Sequence, residues 1–302
     1  MKDMKLIIKS NFIDSKEFIT AMEGISTNTP SCIINEKYKN ISIMDKPITI
    51  FNDYTPKDIN ELLENEYNIL LVLEPNQLFG IHDWTIKNGD MFNCILTWGD
   101  SILKNCENSS FFTLGTSWLS NSQIVELSKR KKNFEVSFLC GAKRYIEGHF
   151  LRHKIYHKGT EIIIPKKWFY TLPDYSFNDG NHTVTNAAGK SVVWEDSMFS
   201  ICVENSQNSG YHTEKIIDAF LTKTVPIYWG CTNLEELGYD PDGFIYIKDE
   251  SDVINKVNAL TEKDYYDRMY AINKNLEIAK YYANAFGRFR DVIEEIIEIN
   301  NI

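Results

Sequence analysis

The sequence lacks any long, uninterrupted apolar segment. No run among its 302 residues approaches the roughly 18 apolar residues that a membrane-spanning helix needs. The opening stretch, MKDMKLIIKSNF, has an apolar core of only three residues, which is shorter than the apolar region of a signal peptide. These absences predict a chain without an integral membrane segment and with a cytoplasmic location.

Cysteine is scarce and forms no recognisable pattern. The sequence contains no C-x-x-C pair, the spacing typical of zinc sites and redox motifs. Most of the cysteines lie inside or beside apolar runs, where cysteine usually behaves as a small buried hydrophobe. We therefore predict reduced, buried thiols and neither a disulfide framework nor a zinc site. The six cysteines are Cys32, Cys94, Cys106, Cys140, Cys202 and Cys231.

Two function classes are disfavoured by what else is missing. Lys and Arg number 32 against 42 Asp and Glu, which gives a net charge of −10. Such an acidic chain is a poor candidate for binding nucleic acid, because that affinity rests on many phosphate contacts. The basic run at residues 129–132 is predicted to be a solvated helix end or linker. No G-x-G-x-x-G follows a predicted strand, which disfavours a redox enzyme that binds a dinucleotide.

The sequence does contain an alternation of apolar runs and helical stretches. YNILLVLEP and MFNCILTWGD are nearly continuous in apolar residues, as expected of parallel strands covered on both faces. NFEVSFLCG, TEIIIP, MFSICVE and TVPIYWG repeat this pattern in the second half, and the polar stretch 173–197 is predicted to be a long loop. The alternation and the length predict two α/β domains joined near residues 117–133. A substrate crevice is expected between them, at the carboxyl ends of the strands.

A charged pair stands at the start of the helix predicted after MFSICVE. Thr213 is the expected N-cap, with Glu214 and Lys215 in the first turn. A helix N-terminus can hold a phosphate, and a lysine there is unfavourable for the helix unless an anion is bound. Glu214 is suited instead to the hydroxyls of a ribose, so the pair fits a nucleoside diphosphate. A capped helix with solvated charges remains the alternative.

A second candidate lies in GHFLRHKIY, on the helix predicted after NFEVSFLCG. The planar guanidinium of Arg152 can donate two parallel, charge-assisted bonds to a phosphate, although a solvent-facing arginine is the alternative. His149, His153 and His157 repeat every four residues on one helix face. No acidic residue accompanies them in a metal-binding spacing, so no metal site is expected. His149, nearest the helix start, could contact a bound phosphate.

Two acidic residues end predicted strands in the first half of the chain. Glu74 follows YNILLVL and Asp100 follows MFNCILTWG. A general base must reach the proton that it removes, and a strand end facing a crevice provides such a position. Asp14 and Asp53 are further candidates with less context, and structural capping is the alternative for all four.

One segment carries a specific resemblance. Residues 199–230, FSICVENSQNSGYHTEKIIDAFLTKTVPIYWG, closely resemble the F-E-N-S…T-E-K…A…P-I-Y-W-G signature of the α-1,3-fucosyltransferase family, and its bacterial members in particular. The resemblance implies an α/β protein of the GT-B class, with two facing Rossmann-like domains that contain parallel sheets. It also implies an inverting transferase that moves fucose from GDP-fucose to a hydroxyl of a glycan acceptor, with no metal or other cofactor required.

The resemblance also implies boundaries and roles. It places an N-terminal, acceptor-side domain at 1–120, a donor-binding domain at 134–285 and a C-terminal helix at 286–302 that could pack back on the N-terminal domain. Arg152 and Lys215 would hold the diphosphate, and Glu214 would hold the ribose. A carboxylate after an N-terminal strand, Asp100 or its rival Glu74, would be the catalytic base. The residues assigned to donor binding are His149, Arg152, Glu204, Asn205, Tyr211, Thr213, Glu214 and Lys215.

Departures from the family pattern leave two alternatives open. This chain has V-E-N where the family has F-E-N, and the family's C-terminal cysteine clusters and heptad repeats are missing. The protein could therefore use another nucleotide sugar, or could bind a nucleotide sugar or glycan without catalysis. The acceptor has no sequence motif, although four tryptophans could stack on sugar rings or simply pack in the core. They are Trp84, Trp98, Trp118 and Trp168.

Overall fold

A computed structural model describes residues 6–10, 48–55, 67–113, 115–171, 177–178, 183–184 and 187–300. The chain forms two compact units: unit 1 comprises residues 1–114 and 284–302, and unit 2 comprises residues 115–283. Cys32 and the candidate Asp14 lie outside the described residues.

The secondary structure alternates between strands and helices in both units. The strands are β1 (Leu6–Ser10), β2 (Ile48–Asn52), β3 (Tyr67–Val72), β4 (Cys94–Thr97), β5 (Ser109–Phe111), β6 (Asn133–Gly141), β7 (Lys166–Thr171), β8 (Phe177–Asn178), β9 (Thr183–Val184), β10 (Ser197–Val203), β11 (Val225–Trp229) and β12 (Ile245–Tyr246). The α-helices are α1 (Asn76–Phe79), α2 (Ile81–Asn88), α3 (Asp100–Asn105), α4 (Asn121–Leu127), α5 (Glu147–His157), α6 (Glu214–Leu221), α7 (Glu250–Asn258), α8 (Glu262–Asp267), α9 (Met269–Tyr282) and α10 (Ala285–Asn300).

The described strands of unit 1 form a parallel sheet in the order β1-β2-β3-β4-β5. Every residue of β3 and β4 is buried, as predicted for strands covered on both faces. Their apolar side chains pack with Phe51, Ile81 and Ile102. Helix α10 contributes to the same unit, since Phe289 lies edge-on to Phe112 with ring centroids 6.0 Å apart.

In unit 2 the described strands form one sheet in the order β12-β11-β10-β6-β7-β8-β9. Strands β6, β7, β10, β11 and β12 are parallel, whereas β8 and β9 extend the sheet in antiparallel fashion. The whole of β10 and β11 is buried. Helix α6 covers this part of the sheet with an apolar face that includes Ile216, Ile217 and Phe220.

Two predictions about unit 2 are wrong in detail. TEIIIP is not a strand: residues Gly159–Glu161 form a 3₁₀ turn, and the chain joins the sheet only at β7. Pro165 precedes that strand, and proline cannot donate a ladder hydrogen bond. The stretch 173–197 is not a simple loop either, because it contains β8, β9 and the 3₁₀ helix Ala187–Val193.

The prediction of buried, reduced cysteines is confirmed for the part of the chain that the structure covers. The five described cysteines are buried and form no disulfide. None of the described helices is both long enough and apolar enough to cross a membrane.

Candidate functional site

The carboxyl edge of the unit 2 sheet contains the point at which the strand order reverses. β6 pairs with the next strand, β7, on one side, and with β10 on the other. In open parallel sheets, ligands bind in the crevice that such a reversal creates. A cavity of about 860 Å³ lies here, lined by residues that follow β6 and β10 and by residues of α5 and α6. Its size is within the range of small-molecule sites.

Five of the eight residues predicted to bind a donor line this cavity, and the other three are buried outside its lining. Those that line it are His149, Arg152, Asn205, Glu214 and Lys215. Those that do not are Glu204, Tyr211 and Thr213, each at most 2% exposed. The structure therefore divides the predicted donor-binding residues into two groups. Residues of the first group could touch a ligand, and residues of the second could only hold the first group in place.

Glu204 is the main supporting residue. It follows β10 directly, and its carboxylate accepts hydrogen bonds from the Thr213 backbone N–H at 2.9 Å and from the Thr213 hydroxyl at 2.6 Å. Thr213 begins α6 as predicted, but its side chain makes no capping bond to the helix. The hydroxyl bonds to Glu204 instead. The strand end and the helix start are thus fixed to each other.

The adjacent acid and base at the start of α6 form an ionised network. Lys215 Nζ lies 3.1 Å from Glu214 Oε1 and 3.3 Å from Glu204 Oε2. Burial alone would raise the pKa of Glu214, but Lys215 and Lys190 outweigh it and lower that pKa to about 2. Burial alone would lower the pKa of Lys215, yet the two carboxylates raise it above its usual value. Both groups are therefore charged at neutral pH.

Arg152 reaches the cavity from α5. Its guanidinium is buried, and Nη2 donates to Asn205 Oδ1 at 2.5 Å. Nε has no hydrogen-bond partner among the described residues. Buried donors are normally paired, so this atom is a candidate contact for a ligand.

Gly148 brings α5 close enough for Arg152 to take this position. The Gly148 N–H donates to Asn205 O at 3.1 Å. A Cβ atom at residue 148 would come within 1.9 Å of Glu204 O and 2.7 Å of Asn205 O. Only glycine permits this close approach of α5 to the end of β10. Arg152 lies one helical turn further along α5, so the approach places it beside the end of β10.

His149 is a neutral hydrogen-bonding group in this cavity. Its ring is buried, and Nδ1 accepts the Tyr145 backbone N–H at 3.2 Å, which leaves the proton on Nε2. Burial, followed by the positive charges of Arg152 and Lys143, lowers the pKa of His149 to about 4. The Nε2–H group can therefore donate to an anion without adding a charge at neutral pH.

The histidines of the stripe on α5 make separate contacts. No group of three or more His, Cys, Asp and Glu side chains is placed to hold a metal within the described ranges. His153 instead lies 3.3 Å, through Nε2, from the carbonyl oxygen of Lys143.

Sequence reasoning missed Lys143 and Lys190, which also line the cavity, and gave Trp118 only a general role. Lys190 lies in the stretch that was predicted to be a loop and belongs to no recognised motif. Trp118 was one of four tryptophans with equal weight. No signal in the single sequence distinguishes these residues, because their positions depend on the packing of separate segments.

The two candidates for a catalytic base lie in unit 1, after adjacent parallel strands. Glu74 follows β3 and is half-buried; its N–H donates to Asp53 Oδ1 at 3.1 Å, and its carbonyl oxygen lies 3.1 Å from His82 Nε2. Asp100 follows β4, is exposed, and forms the first residue of α3. Glu74 is thus held by its backbone on both sides, whereas Asp100 has the position of an ordinary acid at a helix start.

Asp53 is a buried anchor for the Glu74 segment. It follows β2 with a left-handed backbone (φ 45°), and its Oδ1 also accepts the Leu73 N–H at 2.8 Å. Burial raises the pKa of this carboxyl group to about 7, despite the two backbone hydrogen bonds that act in the opposite direction.

Comparisons with known proteins show what the chain is similar to. Residues 177–287 match the C-terminal region of glycosyltransferase family 10 (fucosyltransferase). The α-(1,3)-fucosyltransferase FucT of Helicobacter pylori is 28% identical over 39% of this chain, and the match spans 30% of that relative's length.

Solved structures establish the fold class. A crystal structure of an α1,3-fucosyltransferase with GDP-fucose superposes with a TM-score of 0.50 at 15% identity, over 93% of this chain and 90% of that one. A UDP-forming α,α-trehalose-phosphate synthase from Burkholderia vietnamiensis superposes with a TM-score of 0.55 at 10% identity, over 85% of this chain and 73% of the other. The predicted GT-B fold is confirmed. Residues 177–287, which include the strand end and helix start that frame the cavity, are thus similar to the C-terminal region of the fucosyltransferases of glycosyltransferase family 10.

Proposed function

We propose that the protein is a glycosyltransferase that moves fucose from GDP-fucose to a hydroxyl of a glycan acceptor, with inversion at the anomeric carbon. The observation that carries this proposal is the charge of the unit 2 cavity. In a chain with a net charge of −10, its described lining contains four cationic side chains and one carboxylate. A nucleoside diphosphate would supply the opposite charge, and the carboxylate, Glu214, would accept hydrogen bonds from the ribose hydroxyls.

Arg152 and Lys215 would act on the leaving group in this reaction. The acceptor hydroxyl attacks the anomeric carbon, the bond to the β-phosphate oxygen breaks, and negative charge develops on the departing GDP. Cations that are already in place stabilise such charge without reorganising. We propose that these two residues, with the N–H groups of the first turn of α6, do so, and that no metal is needed.

The acceptor proton requires a base. We propose Glu74 for this role, because its backbone is fixed by Asp53 and His82 and its side chain is half-buried, whereas Asp100 is exposed at a helix start. A positioned carboxylate base contributes on the order of 100-fold to 10,000-fold to the rate.

The first experiment is calorimetric titration of the purified protein with GDP, UDP and CDP, repeated on Arg152→Met. Arg152 is a better test than Lys215, because removing Lys215 would leave the buried Glu204 carboxylate uncompensated and would also destabilise the fold. We expect GDP to bind, UDP and CDP to bind more weakly, and the substitution to weaken GDP binding about tenfold or more. Arg130→Met is the matched control, since Arg130 is exposed and precedes β6 at the opposite edge of the sheet.

Other outcomes identify the alternatives. Tight binding of UDP would favour a different nucleotide sugar, a possibility supported by the similar fold of the UDP-forming synthase. GDP binding with neither transfer nor slow hydrolysis of GDP-fucose would favour a binding module without catalysis. Transfer that is lost with a metal chelator would contradict the metal-independent mechanism.

A further inference from the structure

Two cavity residues outside the recognised motif contact each other. Trp118 comes from the segment that precedes α4, and Lys190 comes from the 3₁₀ helix Ala187–Val193. Lys190 Nζ lies 3.9 Å from the centroid of the Trp118 ring. Both side chains line the same cavity as Glu214 and Lys215.

Trp118 is held firmly by the helix that carries the motif. Asp218, on α6, is fully buried; it accepts the Ser117 hydroxyl at 2.5 Å and the Trp118 backbone N–H at 3.2 Å. The Trp118 side chain also helps to lower the pKa of Glu214. Even so, 43% of the tryptophan remains exposed. The backbone at Trp118 is therefore fixed in position while much of the side-chain surface is available to a ligand.

Lys190 is half-buried, and no carboxylate in the described part of the chain forms an ion pair with it. Removing an ammonium group from water is unfavourable unless an opposite charge replaces the lost hydration. Burial accordingly lowers the pKa of Lys190, and nearby Glu214 offsets this only in part. The contact with Trp118 stabilises the cation but supplies no negative charge.

Among the other cations of the described cavity wall, Lys215 is already partly balanced. Lys215 is shared by Glu204 and Glu214 at 3.3 and 3.1 Å. Arg152 donates to the neutral oxygen of Asn205. The excess positive charge that a bound anion would meet is therefore carried mainly by Arg152 and Lys190 at the buried part of the wall.

We propose that Lys190 is an additional ligand for the diphosphate of the nucleotide donor and that Trp118 supports its ammonium group in that position. This inference rests on the proposed function, because it assigns a further contact within the same site. The ligand class is a diphosphate, either as inorganic pyrophosphate or as part of a nucleoside diphosphate.

The test compares Lys190→Met with the wild type in titrations of GDP, pyrophosphate and guanosine. Methionine keeps the apolar stem and removes the charge. We expect GDP and pyrophosphate to bind about tenfold to a hundredfold more weakly and guanosine binding to be unchanged. Lys190→Arg should recover most of the affinity. Lys263→Met, at an exposed position on α8, is the control and should change none of the three.

Thermal unfolding separates ligand binding from a structural role. A half-buried cation without an ion pair does not stabilise the fold, so Lys190→Met should unfold no earlier than the wild type. Earlier unfolding together with unchanged pyrophosphate affinity would overturn the inference.

A double-mutant cycle tests the role of Trp118. If the ring acts by holding Lys190, Trp118→Ala should weaken pyrophosphate binding, and adding it to Lys190→Met should cause no further loss. Fully additive losses would overturn the supporting role.

The outcomes also distinguish this inference from the proposed function. If the wild type binds GDP and Lys190→Met binds it equally well, the inference fails and the proposed function stands. If pyrophosphate binding depends on Lys190 but GDP is not bound in preference to UDP and CDP, Lys190 remains a diphosphate ligand and the GDP donor is wrong. If the wild type binds neither GDP nor pyrophosphate, both fail.

Discussion

The two sheet edges that carry the candidate residues use acidic groups in opposite ways. At the unit 2 edge, Glu214 is surrounded by cations and its pKa falls to about 2. At the unit 1 edge, Asp53 is held by backbone N–H groups in a buried position, and its pKa rises to about 7. The first arrangement keeps charges fixed, which suits the binding of an anion. The second allows a proton to be exchanged near neutral pH, which suits acid–base chemistry.

The largest expected effect comes from removing the proposed base in unit 1. Glu74→Gln should lower the turnover of fucose transfer by about 100-fold or more and leave GDP affinity unchanged, because the residues proposed to bind the donor belong to unit 2. Steady-state kinetics and calorimetry on the same variant measure the two quantities.

Asp100→Asn, after the next strand, is the matched variant. It should reduce turnover only about twofold, because an exposed acid at a helix start acts mainly on the stability of the helix, by about 0.3–1 kcal/mol, and not on the reaction. A loss of turnover as large as that of Glu74→Gln would assign the base to Asp100 instead.

The next effect tests how closely the unit 2 edge is packed. In Gly148→Ala the new methyl group would collide with the carbonyl oxygens of Glu204 and Asn205, so α5 must move and carry Arg152 with it. We expect GDP affinity to fall about tenfold, the scale of one charge-assisted hydrogen bond.

Gly141→Ala is the comparison for that substitution, because it also adds a methyl group at the cavity but its Cβ atom would lie 3.8 Å from Arg152 Nη1, an ordinary contact. Equal GDP affinities in the two variants would show that the close approach of α5 does not determine the position of Arg152.

The sequence predicted much of unit 2 and less of unit 1, for physical reasons. Strand ends, helix starts and adjacent charges are local features, so Thr213, Glu214 and Lys215 could be read from their order alone. Lys190 and Trp118 meet only because distant segments pack together, and local patterns do not contain that information. In unit 1, Glu74 and Asp100 follow equally good strands, and only burial and hydrogen bonding separate them.

Charge patterns were the least reliable guide. The basic run at 129–132 was predicted to be solvated, but Lys132 is buried and donates to Glu195 O at 3.1 Å and to Thr224 Oγ1 at 3.2 Å. Burial lowers the pKa of Lys132 to about 7. Lysine was expected at the surface because burying an ammonium is costly, and a single sequence does not reveal the oxygen atoms that offset that cost.

A smaller effect contrasts the two buried aspartates. The same oxygen of Asp53 accepts both backbone N–H groups, so Asp53→Asn can keep both bonds. Asp218 uses one oxygen for Ser117 and the other for Trp118, so Asp218→Asn can keep the bond from the Trp118 N–H only if its NH₂ group faces the Ser117 hydroxyl, which must then turn from donor to acceptor. We expect Asp218→Asn to destabilise the protein by about 1–2 kcal/mol, as measured by denaturant unfolding.

The pH dependence tests the raised pKa of Asp53 directly. Because burial raises the pKa of Asp53 to about 7 from about 3.9 in the unfolded chain, its contribution to stability is lost as the pH rises from about 4 to 7. Asp53→Asn cannot ionise, so its stability relative to the wild type should increase across that range and then level off. A constant difference from pH 4 to 8 would contradict the raised pKa.

The smallest effect on donor binding concerns His149, which should stay neutral beside a bound donor. Its pKa is lowered to about 4 from about 6.5 in the unfolded chain, so its contribution to stability is complete above pH 6.5 and declines as the pH falls toward 4. The decline is at most about 1.4 kcal/mol per pH unit. His149→Gln should therefore flatten the acid side of the stability profile, whereas His157→Gln, at an exposed position on the same helix, should not.

Since neutral His149 adds no charge between pH 6 and 8, GDP affinity should show no step from it in that range. A step that disappears in His149→Gln would mean that the histidine binds the diphosphate as a cation.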